Sequence, residues 1–231
     1  MCGRFDCHSE FIKIVKSFGV SKASAAAVEP AYTPSYNIAP SRNILIITAD
    51  EQGERHLEES KWGFVPEWAK DAASSYKTIN ARAETVADKP SYSDAFKNKR
   101  CLVIANGFFE WKQLGHAKFP VYIRLKSEEP LAFAGLHSRW KSPQGEEIST
   151  CAIITTEANE LLRAVHDRMP VILPPESYDL WLNPKIKDRD QLLPLLKPYP
   201  SDEMEYFEVT MYVNKPGHDT ADVIVPVSDY D

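Results

Sequence analysis

Four cysteines in 231 residues, with no CxxC pair among them, are too few for a disulfide framework in a chain of this length. That scarcity points to a reducing cytoplasm. Long apolar runs are lacking as well. The longest, 43–48 (NILIIT) and 101–105 (CLVIA), have the length of strands and fall far short of the roughly 20 residues a membrane-spanning helix needs. Asp6, Glu10, Lys13 and Lys16 break up the start of the chain, so no apolar core of a signal peptide follows the first residue. Positive charge is not in excess either: 27 Lys and Arg stand against 33 Asp and Glu, a net charge of −6. This balance argues against a protein that coats nucleic acid non-specifically, while leaving room for a local basic cleft. Repeats and low-complexity tracts are absent, and the 17 prolines are spread through the connections, so 1–231 is expected to form a single domain.

Within those limits the chain reads as alternating short elements. Phe11, Ile12, Ile14, Val15 and Phe18 predict a helix over 9–18 with Ser9 as its N-cap, followed by a loop over 23–34. Strands are predicted at 43–48, 55–62, 102–105, 121–125, 131–135 and 151–155. A helix is expected over 157–165 with Leu161, Leu162 and Val165 inward, then helices after Pro174-Pro175 and around 188–196, and final strands at 205–209 and 223–227. Short, numerous strands seldom separated by long helices predict an α+β fold with a largely antiparallel, barrel-like β core flanked by helices.

Four segments carry polar groups that a plain core has no use for: MCGR (1–4), TINARAE (78–84), NGFFEW (106–111) and VHDRMP (165–170). Loss of Met1 would leave Cys2 with an amine and a thiol on adjacent carbons, a pair no internal side chain offers. Each segment also has a plain structural explanation. Cys2 can be a small buried hydrophobe, Asn80 a turn residue, Arg82 and Glu84 a surface pair, and His166 a helix-end histidine. Glu110 is harder to assign that way, because it follows a predicted strand among Phe108, Phe109 and Trp111, where poor solvation raises a carboxyl pKa toward the range of a general acid. Cys2, Cys7 and His8 are the one weak candidate set for a metal, and no metal or other cofactor is expected.

Taken together, MCGRF (1–5), YNIAP (36–40), WGFVPEW (62–68), NARAET (80–85), NGFFEWK (106–112) and HDRMPVIL (166–173) resemble the SOS-response-associated peptidase (SRAP) domain family, in the family's order and over nearly the whole chain. The resemblance implies covalent capture of abasic sites in single-stranded DNA by the N-terminal cysteine, during the response to DNA damage. It implies that Asn80 positions Cys2, that Glu110 handles protons during sugar ring opening, and that His166 assists Schiff-base formation. Arg4, Arg82 and Arg168 match positions along the DNA path, Trp68 an aromatic beside the lesion, and Asn37 and Pro40 the pocket floor. The implied partner is single-stranded DNA with an abasic site, met as a monomer, away from any membrane, in a cytoplasmic protein associated with the nucleoid when bound. Ala69, Asn106, Phe109 and His137 depart from the family's usual residues, and none of these departures touches Cys2, Asn80, Glu110 or His166. Two other readings use the same residues: a thiol autopeptidase acting on its own N-terminus, and a non-catalytic single-stranded nucleic-acid-binding module.

Overall fold

Ile44, Ile46, Ile47 and Thr48 favour a strand over 43–49, which pairs with 55–62 in the first hairpin, and the turn between them is built by Asp50. Its carboxylate accepts from the backbone N–H of Gln52 and of Glu54, each at 2.9 Å, and Gly53 supplies a positive φ of 84°. In the computed structural model, which describes residues 2–72 and 77–230, these runs are β3 (Asn43–Ala49) and β4 (Arg55–Trp62). Met1, whose removal the chemistry above requires, lies outside the described residues.

Strand β3 pairs with β6 (Arg100–Ala105), β6 with β9 (Leu131–Lys141), and β9 with β10 (Glu147–Glu157), all antiparallel. Strand β10 then returns to β4 in parallel, Thr150 opposite Lys61 and Cys151 opposite Trp62, which closes a ring of five strands. Closure removes the exposed edges. At Gly135 the ring admits no side chain, since a Cβ there would stand 2.9 Å from Cys101 Sγ and 3.0 Å from Val103 Cγ2.

A second sheet runs in the order β12 (Met204–Glu208), β8 (Ala117–Leu125), β7 (Gly107–Leu114), β1 (Phe5–Cys7), β2 (Ser35–Ile38). It docks on the barrel through aromatic rings. Phe5 meets Trp62 edge-on at 5.0 Å and Phe133 at 5.9 Å, and Phe108 meets Phe133 at 6.0 Å. All four rings are fully buried, and burial of each such side chain is worth about 1.5–3 kcal/mol. Because side chains alternate along a strand, Phe108 and Glu110 face the barrel. Phe109 and Trp111 turn to the other face, into a second cluster with Tyr122, Val209, Val213 and Val223.

The C-terminal segment is strapped across β2. Asn37 donates through Nδ2 to the carbonyls of Val213, Lys215 and His218 (2.7–3.2 Å), and Asp219 accepts from Ser35 Oγ and from the N–H groups of Tyr36 and Asn37.

The barrel-like, antiparallel α+β expectation agrees with this architecture, and the six predicted central strands are all present, several of them longer than expected. Elsewhere the elements differ. Helix α1 spans Phe11–Phe18, and Ser9 does not cap it: the hydroxyl is buried and accepts from Asn106 Nδ2 at 2.7 Å, tying the chain to the start of β7. Residues 22–28 form a helix, α2 (Lys22–Val28), where a loop was expected. Ser21 caps it, and Ser24 Oγ both donates to Leu57 O and accepts from Leu57 N on β4. The helix expected at 157–165 is replaced by the end of β10 and a single tight turn at Leu162–Ala164, because Asn159 Oδ1 accepts from Leu162 N at 3.0 Å and closes the chain early. The last expected strand, 223–227, is reduced to a helical turn at Ala221–Ile224 and one bridge between Val209 and Pro226. Helices α4 (Tyr178–Leu182) and α5 (Arg189–Leu192) lie where two were expected, and a short α3 (Ser93–Asn98) was not foreseen. Among the described residues no helix is long and apolar enough to cross a membrane.

Candidate functional site

Strand β1 is the foundation of the site. Phe5 pairs with Phe108 on one side and Ile38 on the other, and Phe109 N donates to Arg4 O at 2.9 Å, so residues 2–4 run out along β7 toward Glu110. Cys2 is fully buried there. Asn80 holds it from the other side, donating through Nδ2 to the Cys2 carbonyl at 2.8 Å. Asn80 comes from β5 (Asn80–Arg82), which pairs in parallel with β10, while β11 (Arg168–Pro170) pairs with β10 antiparallel. Strand β10 thus serves as a bench. Opposite Thr155 lie Arg82 on one side and Pro170 on the other, and Arg168 follows opposite Glu157, bringing both arginines to one end of the barrel.

The electrostatics of this end follow from burial. Loss of solvent raises the Glu110 carboxyl from 4.5 to about 7, and the nearby Asp167 carboxylate adds to the push. Burial, with the Glu110 charge second, holds the Cys2 thiol far above its ordinary value. Near neutral pH the thiol is therefore protonated, and Glu110 is divided between acid and base. His166 stands in the turn ahead of β11, and its Nδ1 accepts from Arg168 N at 2.9 Å. Nδ1 also lies 2.8 Å from Asp167 Oδ1, but a backbone N–H can only donate, so Nδ1 is the acceptor and Nε2 carries the proton. Burial lowers the His166 pKa, which keeps the ring neutral.

The arginines are held in different ways. Arg4 donates through Nη1 to Asn37 Oδ1 at 2.7 Å and to Val213 O at 2.5 Å, with its guanidinium 6.0 Å from the Trp111 ring centre. Arg168 grips Glu84 with both Nη atoms, at 2.5 and 3.0 Å, and donates from Nη2 to Thr155 O at 2.6 Å. Arg82 is exposed. Several buried polar atoms at this end, Asn80 Oδ1, Arg4 Nε and Arg168 Nε, have no partner among the described residues.

Of the residues singled out from the sequence, Cys2, Asn80, Glu110, His166, Arg4 and Arg168 gather around the end of β1 and β10. Asn37 is fully buried and spends its amide on Arg4 and the C-terminal strap, so it is a support beneath the site and presents no surface to a ligand. Pro40 is half-buried in the turn after β2, and Trp68, at 68% exposure, stands out from the turn after β4. Cys2, Cys7 and His8 do not assemble as ligands: among the described residues no group of three or more His, Cys, Asp or Glu is placed to hold a metal ion. His8 instead lies 2.5 Å from the buried Asp6, which also accepts from Tyr122 at 3.1 Å. Tyr92 was missed. Its hydroxyl donates to Asn80 O at 3.2 Å, a contact made from residue 92 to residue 80 that no spacing announces. Glu84 pairs with Arg168, not with its sequence neighbour Arg82.

These features define a closed barrel that carries an almost N-terminal cysteine beside a buried carboxyl within reach of cationic side chains. The model of the family SOS response associated peptidase (SRAP) matches residues 1–216, and the chain belongs to that family. It is 47% identical over 225 residues to the abasic site processing protein YoqW of Bacillus subtilis, covering 97% of this chain and 99% of that one. Over 264 residues it is 30% identical to the abasic site processing protein HMCES of Gallus gallus, covering 98% of this chain and 78% of the other. A crystal structure of a Bacteroides thetaiotaomicron protein, 28% identical, superposes with a TM-score of 0.87 over 98% of this chain and all of its own.

Proposed function

We propose that this protein captures abasic sites in single-stranded DNA covalently, through the amine and thiol of Cys2 once Met1 is removed. The reading rests on one conjunction: Cys2 held by Asn80 next to a carboxyl whose pKa has moved to about 7. The names of the relatives, which process abasic sites, support it.

The chemistry starts on the sugar. An abasic deoxyribose is mostly a closed hemiacetal, and opening it moves a proton to the ring oxygen, a task suited to a carboxyl that is half protonated near neutrality. The aldehyde released meets the Cys2 amine, whose reference pKa of about 7.7–8.0 leaves a useful neutral fraction where a lysine has almost none. Carbon–nitrogen bond formation and loss of one water give a Schiff base. Neutral His166, which carries its proton on Nε2, can donate a hydrogen bond to the oxygen that leaves as water. The Cys2 sulfur then bonds to the imine carbon while its proton passes to the imine nitrogen, closing a five-membered thiazolidine. The high pKa of the thiol suits this order, since a protonated thiol does not compete for the aldehyde and becomes reactive only beside the imine, with Glu110 there to relay its proton. Asn80 Oδ1, buried and without a partner among the described residues, is available to orient the new amine. Arg4, Arg82 and Arg168 supply charge for the phosphates and Trp68 a face for a base.

Intact mass spectrometry after incubation with a single-stranded oligonucleotide carrying one abasic site tests this reading. The expected product survives denaturation and weighs protein without Met1, plus DNA, minus one water. Processed protein that leaves the DNA free would overturn the proposal. An autopeptidase limited to its own N-terminus would lose Met1 and form no adduct, and a passive binding module would hold DNA without any denaturation-resistant product.

A further inference from the structure

Strand β2 is the edge of the second sheet: it pairs with β1 on one side, and the C-terminal strap covers the other. One carboxylate fastens the strap there. Asp219 Oδ1 accepts from the backbone N–H groups of Tyr36 at 2.5 Å and Asn37 at 2.9 Å, and Oδ2 accepts from Ser35 Oγ at 2.7 Å. The carbonyls of Val213, Lys215 and His218 are thereby brought to the Asn37 amide, whose Nδ2 donates to all three. The strap is also seated from beneath. Val213 and Val223, both fully buried, pack with Phe109 and Tyr122, and Trp111 Nε1 donates to Asn214 Oδ1 at 2.7 Å.

This fastening ends on Arg4. With its Nδ2 held by the strap, Asn37 turns Oδ1 to Arg4 Nη1 at 2.7 Å, and the strap's own Val213 O accepts from the same Nη1 at 2.5 Å. Both acceptors are neutral. Among the described residues no carboxylate pairs with Arg4, and burial alone lowers its pKa, so the guanidinium keeps a charge that nothing cancels. Arg168, by contrast, gives both Nη atoms to Glu84. A cation held in place by dipoles is open to an anion, and Arg4 Nη2 makes no hydrogen bond among the described residues.

We infer that Asp219 is a positioning residue for Arg4: by clamping the strap to β2 it fixes Asn37 Oδ1 and Val213 O, which hold the guanidinium ready for a phosphate of the captured strand. The inference rests on the abasic-site reading for the identity of the anion. Its physical basis is preorganisation. A long side chain ordered before binding has no rotamer freedom left to lose on binding, a saving of about three- to tenfold in affinity. The sign of the effect is diagnostic. Asp219 carries a negative charge 4.0 Å from Arg42, so removing it would by charge alone tighten DNA binding, whereas loss of the clamp weakens it.

Equilibrium binding of a single-stranded oligonucleotide with one tetrahydrofuran abasic analogue, in a Cys2→Ala background that cannot react, tests the clamp apart from the chemistry. Asp219→Ala should weaken binding about three- to tenfold and, like Arg4→Ala, reduce the slope of log affinity against log salt by about 0.7, the share of one phosphate on a single strand. With Arg4→Ala already in place, adding Asp219→Ala should cost less than about 1.5-fold. Asp219→Asn, which keeps one oxygen to accept from both N–H groups, guards against a variant that fails to fold and should show the same coupling at about two- to threefold. With Cys2 intact, both variants should raise the DNA concentration that half-saturates adduct formation and leave the rate at saturation within about twofold. Unchanged or tighter binding in both variants, losses that persist in full without Arg4, or a lowered saturating rate at unchanged half-saturation would overturn the inference. So would an Asp219-intact protein that does not bind the oligonucleotide. Coupled losses of binding, with no adduct from the protein that retains Cys2, would overturn the capture chemistry and leave the clamp standing.

Discussion

Two regions of this molecule treat buried polar groups in opposite ways. Around Arg100, on β6, every N–H of a buried guanidinium is used: Nε donates to Trp181 O, Nη1 to the carbonyls of Phe96 and Lys97, and Nη2 to those of Asn183 and Ile186, at 2.6–2.9 Å. Four of these carbonyls belong to the C-terminal ends of α3 and α4, where the helix dipoles favour a cation, and the fifth, Ile186 O, to the turn that follows α4. Burial lowers the Arg100 pKa only to about 10, so the charge persists. Around Cys2 the accounting is left open. Arg4 Nε, Arg168 Nε and Asn80 Oδ1 lack partners among the described residues, and Glu110 is held near the midpoint of its titration. The saturated cluster fastens helices to the barrel, while the open one leaves hydrogen-bonding capacity unspent, which the proposed capture of DNA would use.

The largest effect that would sharpen this contrast is complete. Cys2→Ala should fold normally and form no denaturation-resistant adduct, as read by intact mass. Arg100→Met comes next, and it should leave the open end chemically unchanged per folded molecule. Five carbonyls would lose their donor together, and we expect a loss of about 3–5 kcal/mol in urea unfolding. A cost below about 1 kcal/mol would break the comparison.

Glu110→Gln probes the other region through pH. In the folded protein the carboxyl titrates near 7 instead of the ordinary 4.5, so the folded state binds the proton more tightly than the unfolded state. Stability attributable to this group is thus highest below about 4.5 and falls as pH rises through the window up to about 7, by about 3 kcal/mol in all. The Gln variant should lack that slope in unfolding measurements across the window. The rate of adduct formation should rise with deprotonation of the amine and fall above about 7 as Glu110 ionises, with the falling limb missing in the variant. A variant profile with the same falling limb would assign it to another group.

The smallest predicted effect concerns Glu84. Its carboxylate occupies the two Nη atoms of Arg168, where a phosphate could sit, and its pKa is lowered chiefly by that hydrogen bond. Because Glu84 is half exposed, the pair's worth is modest. Glu84→Gln should tighten binding of undamaged single-stranded DNA about two- to fivefold at low salt, fading at high salt. Weaker binding in the variant would show instead that Glu84 holds Arg168 in its working position.

The sequence by itself determined the strands expected at 43–48 and 55–62, the first through its apolar run 44–47, which is buried in the barrel wall. It also marked the residue types of the site. Cys2 stood out by its position and Glu110 by its aromatic neighbours. Other elements were illegible because their cause is remote: Ser9 would cap a helix by local rules, but Asn106 claims its hydroxyl, and α2 is stabilised by its serine contacts with β4. Tertiary structure alone decided the return of β10 to β4, which closes the barrel and puts Asn80, Arg82 and Arg168 around one end. It also decided that Asn37 is a buried clasp and that Glu84 meets Arg168. Periodicity and residue chemistry are written along the chain. Hydrogen bonds between residues 78 or 84 positions apart exist only after the strands that carry them have paired.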